Sequence, residues 1–299
     1  MSPRAARPRV DRVTLGFLLL ELVVAWSTVG LAVWSWHPAV VVFAMLIVAT
    51  RQHALFILFH DAVHYLVARD KRVNDLITNA LIGVPQLVPV QLYRRLHLTH
   101  HARLGTDGDP ERLLLYRGQP WQYEPLPLSR LFMQVLGDLL LLNTIKTLWF
   151  FERERRGPRL QLPRARTWPE FYVLVGLFVG AWVLGFVIAP ELTGRVAIVW
   201  FVPLLTLTQA IQKVRSFLEH APPGAAEPTY SWRPGLLGRL IVWPYHINYH
   251  REHHLEASVP WHELPRRFEL EVPTATPWWR VLWNGRLFAT PDQDSGRGA

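Results

Sequence analysis

The 299-residue chain has no cysteine. That excludes a disulfide framework and every thiolate metal site, so a bound metal must be held by imidazole, carboxylate or amide. There is no internal repeat of useful period. No low-complexity tract occurs beyond the polar end "ATPDQDSGRGA", whose residues 289–299 read as a disordered tail. Charge is missing where apolar residues concentrate. Val13 to Trp36 is 24 residues long with one charge, Glu21, and Phe171 to Pro190 is 20 residues with none. Each run can cross a bilayer core of about 30 Å at about 1.5 Å per residue. A buried soluble helix is the competing reading, and the length of the runs argues against it. The formal charge of +9 does not read as a nucleic-acid signal. Its arginines flank apolar blocks, which suits an anionic membrane surface.

Half of the residues are hydrophobic and the mean hydropathy is +0.12. The basic start "MSPRAARPRVDR" precedes an apolar run too long for a signal-peptide core, and no small-residue cleavage site follows. It reads as an uncleaved anchor. A second long helix is expected from about Pro38 to Leu66, with "WSWHP" as the turn before it. Val73 to Leu92 is broken by Gly83, Pro85 and Pro89, and Arg130 to Phe150 carries Gln134, Asp138, Asn143 and Lys146. Both read as interfacial or half-inserted helices rather than full spans. Phe171 to Pro190 crosses, "ELTG" turns, and Arg195 to about Ile211 returns. With four crossings, nearly all the arginines fall on one face. The positive-inside rule makes that face cytoplasmic. The expected fold is an all-α membrane protein. It has four transmembrane helices in two hairpins, interfacial helices and a cytoplasmic histidine-rich cap, as one domain over residues 1–288.

Only 13 histidines are present, yet they cluster. "HDAVH" holds His60 and His64. "HLTHH" holds His97, His100 and His101. "HREHH" holds His250, His253 and His254. On a helix, i with i+3 or i+4 stacks imidazoles on one face, where two nitrogens can reach one metal. Three such clusters on one predicted membrane face argue against scattered surface histidines. His53 lies seven residues before His60, so it faces the same way about two turns deeper. It reads as lining a substrate cavity or supporting the site, while Arg51 snorkels or caps buried polar groups. In "LTQAIQKVRSFLEH", Gln209, Gln212, Ser216 and His220 recur at helical spacing. His220 is therefore a candidate further ligand, with Gln209 and Ser216 on the same polar stripe toward the substrate cavity. His246 is read as support behind the site, and His37 and His262 as loop residues. Imidazoles without thiolates suit Fe, Zn, Cu or Ni rather than Mg or Ca. Eight or nine histidines exceed one ion and fit two. Asp61, Asp107, Asp109 and Glu252 lie beside the clusters, placed to accept the second ring N–H of a ligating histidine.

This set of three boxes with four crossings resembles the membrane fatty acid desaturase superfamily, over roughly Val13 to Phe288. "YRRLHLTHHARLGTDGDP" and "RSFLEH" are similar to stretches in its members. The resemblance implies a di-iron centre at the cytoplasmic membrane edge and O₂-dependent oxidation of an unactivated C–H bond in a lipid chain. It implies that His60, His64, His97, His100, His101, His250, His253 and His254 match the box ligands, and that His220 matches the extra ligand near the end of the fourth crossing. Some members carry Asn four residues before that ligand; here the position is Ser216. The implied partners are a lipid acyl substrate, surrounding lipids and an external electron donor, ferredoxin-like or cytochrome b5-like, since no fused redox domain is evident. The expected site is the cell inner membrane. A carotenoid ketolase or hydroxylase of the same superfamily is the nearest rival. A transition-metal transporter is the distant one, because transporters place ionisable ligands near the bilayer midplane and these cluster at one edge.

Overall fold

In the computed structural model, residues 9–106, 108–111, 128–155, 162, 167–220, 228–272 and 278–279 are described. Among them are twelve α-helices, one π-helix and no strand. Four of the helical segments are long and apolar enough to cross a membrane: 12–35, 38–63, 169–188 and 190–219.

Asp11 starts α1 (Arg12–Ser35). Its carboxylate accepts the Val13 N–H at 3.0 Å and the Thr14 hydroxyl at 2.7 Å. One face of α1 is buried at Leu18, Ala25, Val29 and Ala32. The opposite face exposes Leu19, Leu20, Val23 and Leu31 and is equally apolar. A helix apolar all round belongs in lipid or a large core. Trp36, at φ 44°, ends α1, and Pro38 opens α2 (Pro38–Val63). The two helices pack together through Ala25, Val29, Ala44 and Val48, with Val199 and Trp200 completing the cluster.

After α2 come α3 (Lys71–Thr78), a π-helical turn (Asn79–Gly83) and α4 (Val90–Arg103). Val73 to Leu92 is therefore not one interfacial helix. Gly83 ends the π turn because a Cβ there would meet Asn79 Oδ1 at 2.7 Å and the Val88 carbonyl at 2.9 Å. The expected helix at 130–150 is also two: α5 (Leu128–Leu139) and α6 (Leu142–Arg155), separated at Leu141, φ 63°. Their apolar side chains Phe132, Met133, Ile145, Leu148 and Trp149 are exposed.

The α7 helix (Pro169–Ile188) buries no residue. "ELTG" is not a turn. The break falls at Ala189, and α8 (Pro190–Leu205) already contains those residues because Pro190 starts it. Pro203 lies inside α8, and α9 (Leu207–Glu219) follows after Thr206. Such a break inside a span is tolerated only where its carbonyls find new donors. Here they do. Gln52 donates to Trp200 O (2.8 Å), Thr206 Oγ1 to Val202 O (2.7 Å), Gln209 to Leu204 O (2.9 Å) and Thr144 Oγ1 to Leu205 O (3.0 Å). Three short helices close the described chain: α10 (Leu236–Ile241), α11 (His250–Leu255) and α12 (Leu264–Arg267). The polar tail from 289 lies outside the described residues.

Candidate metal centre

The histidines arrive on four elements. The end of α2 carries His60, with His64 one residue past it. The last turns of α4 carry His97, His100 and His101. The α11 helix carries His250, His253 and His254, and His220 caps α9. A buried arginine sets the first two elements against each other. Arg94, one turn before His97, donates from Nε to Val63 O (2.9 Å) and from Nη2 to Ala62 O (3.1 Å). The Val63 carbonyl is one that the end of α2 leaves without a helical partner, while Ala62 O also accepts the Tyr65 N–H at 3.0 Å. The same guanidinium makes a two-pronged bond with Asp75, at 2.7 and 3.0 Å, and lies 3.8 Å from the Tyr65 ring centre.

The ring nitrogens form two groups. One nitrogen from each of His60, His64, His97, His101 and His253 lies within 4.8 Å of all the others, and the same holds for His100, His220 and His254. His250 joins the second group, with Nε2 3.0 Å from His220 Nε2 and 3.1 Å from His254 Nε2. In that group, His100, His220, His250 and His254 form a row of Nε2 atoms with contacts of 3.1, 3.0 and 3.1 Å. An imidazole nitrogen carries one proton or one lone pair, so it can join one hydrogen bond. Four nitrogens can make at most two bonds across three contacts, whatever their protonation. In the first group His101 Nε2 faces His97 Nε2 at 2.8 Å and His253 Nε2 at 3.2 Å, where one bond is the maximum. The convergence is what a cation held between the nitrogens would require. Two nitrogens, each about 2.1 Å from one ion and at right angles, lie about 3.0 Å apart.

Carboxylates and a carbonyl fix the rings from behind. Asp109 takes the Nδ1–H of His100 at 2.8 Å, Glu111 that of His97 at 2.8 Å, and the Ser216 carbonyl that of His220 at 3.0 Å. Each leaves its Nε2 facing inward, the arrangement that orients metal-ligating histidines. Burial lowers His64 to about 3 and His101 and His220 to about 4. It carries His97, His250, His253 and His254 well below the ordinary imidazole range. These rings are neutral and offer lone pairs. His100 is the exception: burial pulls it down, but Glu111 and Asp109 outweigh that and raise it.

Several residues sit differently from expectation. Asp61 accepts the Trp261 backbone N–H at 2.9 Å, not a histidine ring. Glu252 pairs with the Ser231 hydroxyl. His246 stacks on Trp261, with ring centres 5.9 Å apart. His53 is buried against the Val242 carbonyl at 3.0 Å, and Gln209 serves the α8–α9 break. The Ser216 hydroxyl, 3.4 Å from His220 Nδ1, supports that ring. Arg51 pairs with Glu21, at 3.0 Å. His262 is no free loop residue, since its Nε2 lies 2.8 Å from Asp11. Asp107 lies outside the described residues. Glu111, Glu219 and Arg94 escaped the sequence reading. Glu219 is fully buried, 2.9 Å from Arg215 and 3.4 Å from His250 Nδ1. A signal for Arg94 was present, since it stands at i−3 to His97.

A family model for fatty acid desaturases matches residues 8–282, and the chain belongs to that family. It is 26% identical over 279 residues to the sn-1 acyl-lipid omega-3 desaturase (ferredoxin) of Nostoc sp. (strain 36), covering 81% of this chain and 72% of that protein. It is 25% identical over 312 residues to the human sphingolipid delta(4)-desaturase/C4-monooxygenase DES2, covering 93% of this chain and 80% of that one. It is 24% identical over 221 residues to the beta-carotene 4-ketolase 3 of Haematococcus lacustris, covering 71% and 57%. The chain is thus a desaturase-like oxidoreductase acting on lipid.

Proposed function

We propose that the two histidine groups hold two iron ions and that the protein uses O₂ to introduce a double bond into a fatty acyl chain. The observation that carries this is the double row of facing imidazole nitrogens, which have more contacts than protons can bridge. Imidazole-rich sites suit iron as well as copper, zinc and nickel, and membership of the fatty acid desaturase family supports iron among them. In this reading His60, His64, His97, His101 and His253 ligate one ion, and His100, His220, His250 and His254 the other. Bound iron supplies O₂ activation strong enough to remove hydrogen from an unactivated methylene. The chain supplies the rest. Asp109, Glu111 and the Ser216 carbonyl hold the Nδ1 protons, so that Nε2 of each ring stays bare. The surrounding apolar residues Phe59, Tyr93 and Leu218 exclude water.

The substrate is a lipid acyl chain. Electrons come from an external ferredoxin-like or cytochrome b5-like donor, and the name of the Nostoc relative supports the former. Residues 1–288 are one membrane domain of two helical hairpins. The histidine-rich cap and both termini face the cytoplasm at the cell inner membrane, as the arginine bias supports. Oxygen insertion is the second reading, supported by the monooxygenase and ketolase named among the relatives. The test has two measurements. Purified protein should carry about two irons per chain by the histidine set. A host expressing the chain should gain a double bond in its acyl lipids. One zinc per chain with retained activity overturns the di-iron assignment. Hydroxylated or ketolated lipid without a new double bond overturns desaturation.

A further inference from the structure

The segment between the fourth apolar crossing and the third histidine box carries four large apolar side chains that no described residue covers. Leu236, Leu237, Leu240 and Ile241 of α10 are 74, 70, 47 and 38% exposed. The exposed Arg233 and Arg239 flank them. The inner side of this segment is firmly docked. Gly238 sits so close to Pro234, Trp278 and Trp243 that a Cβ would meet them at 2.9, 3.3 and 3.6 Å. Arg51 donates to the Leu240 carbonyl at 3.1 Å, and the Tyr245 hydroxyl bonds Glu21. These last two contacts give the segment's depth, because Arg51 and Glu21 lie inside α2 and α1.

Two rulers start from the Trp36–His37 turn, beside which Trp34 is 83% exposed, as tryptophans of an interfacial belt are. Arg51 lies thirteen residues beyond Pro38, about 20 Å along α2, and Glu21 lies fourteen before Ser35, about 21 Å along α1. With a hydrocarbon core of about 30 Å, both put the backbones at Arg51 and Glu21 about 10 Å inside the opposite edge, and the Leu240 carbonyl lies within one arginine side-chain length of that depth. His60, about 33 Å along α2, falls just beyond that edge.

We propose that residues 233–241 are immersed in the box-side leaflet of the bilayer. The four leucine and isoleucine side chains lie among acyl chains, and Arg233 and Arg239 reach back to anionic headgroups. An apolar face buried about 5–10 Å with basic residues at its rim is the geometry of an element lying in the membrane interface. The exposed Phe17, Leu19 and Leu20 of α1 lie toward the same edge of the bilayer, and the occupant of the α10 surface is lipid rather than a protein. Immersion also fixes the height of the third box, since His250 follows nine residues after Ile241.

The absence of cysteine makes the test free of background. Leu237→Cys, Val23→Cys and Glu269→Cys are each spin-labelled in the full chain and reconstituted in phosphatidylcholine–phosphatidylglycerol vesicles. Collision with dissolved oxygen and with a water-soluble nickel chelate is then read. Position 23 is the bilayer reference and position 269 the aqueous one. The expected result is an oxygen-to-nickel ratio at 237 matching that at 23. A ratio matching 269 places the segment in water and overturns the proposal. A label shielded from both reagents means that a protein surface covers α10, which also overturns it. If Leu237→Cys is not monodisperse, Leu236→Cys carries the same comparison. The outcome is independent of metal binding, so it stands or falls apart from the di-iron reading.

Discussion

Replacing Arg94 by alanine should loosen the site without touching a ligand. The guanidinium is 9% exposed and its partner Asp75 is 3% exposed. Removing one member of a buried ion pair strands the other and costs about 3–5 kcal/mol. Asp75 would keep only Asn74 Nδ2, at 3.2 Å. The Ala62 carbonyl retains Asn74 Nδ2 at 2.9 Å, so it adds little, but Val63 O would lose its side-chain donor. Lysine keeps the charge but not the fork, so Arg94→Lys should cost less, about 1–3 kcal/mol for the lost donors. The pair Arg94→Leu with Asp75→Leu strands no charge and should be milder than Arg94→Ala alone. The assay is graded unfolding of purified protein in detergent, together with the rate at which a chelator strips metal. Because Val63 adjoins His64, metal should leave Arg94→Ala faster than the parent. An Arg94→Ala protein within about 1 kcal/mol of the parent, with unchanged metal loss, would refute the reasoning.

The His262–Asp11 pair should give a pH signature. The hydrogen bond that His262 donates to Asp11 raises His262 against the pull of burial. Asp11 is lowered: burial opposes the shift, but the bonds to His262 and Thr14 outweigh it. The stabilisation is therefore full between about pH 4 and 6.5 and is lost as pH rises through the folded value of His262. The gap in melting temperature between the parent and His262→Asn should shrink from about pH 6 to about pH 8, and a constant gap would exclude the pair. His220→Ala should lower metal content while the protein stays membrane-inserted, and His37→Ala should not; near-normal iron in His220→Ala removes it from the ligand set. Gln52→Leu leaves Trp200 O without its donor and should cost about 1–3 kcal/mol, read by the same detergent unfolding. A cysteine replacing Gly194, where a Cβ meets nothing within 4 Å, should be labelled from outside intact cells; labelling only after lysis reverses the topology.

The clustered histidines were legible because helical spacing and chemical rarity coincide. HxxxH and HxxHH declare which rings share a face before any tertiary contact is known. His220 could be read the same way, since its polar stripe runs along one helix. What failed were inferences across helices. Asp61 and Glu252 stand next to box histidines in sequence, yet adjacency on a helix turns a side chain about 100° away from its neighbour, and His246 lies four residues before His250 in a turn, at φ 53°, not on the helix. Asp61 accordingly meets Trp261, from a segment two hundred residues on. The carboxylates that do hold rings, Asp109 and Glu111, come from the turn after α4, which doubles back on its own helix. Helix ends were legible where proline or glycine fixes them, as at Pro38 and Gly83. They were misplaced where proline starts a helix instead of stopping one, as at Pro190. The break at Thr206 was invisible for a further reason. An unwound span stays folded only if donors from other elements reach its carbonyls, and those donors, Gln52 and Thr144, lie 148 and 61 residues from the carbonyls they serve. A sequence shows which polar residues stand inside an apolar run. Which backbone group each of them satisfies is decided by packing, and in this protein that decision places α9, and with it His220, against the other histidines.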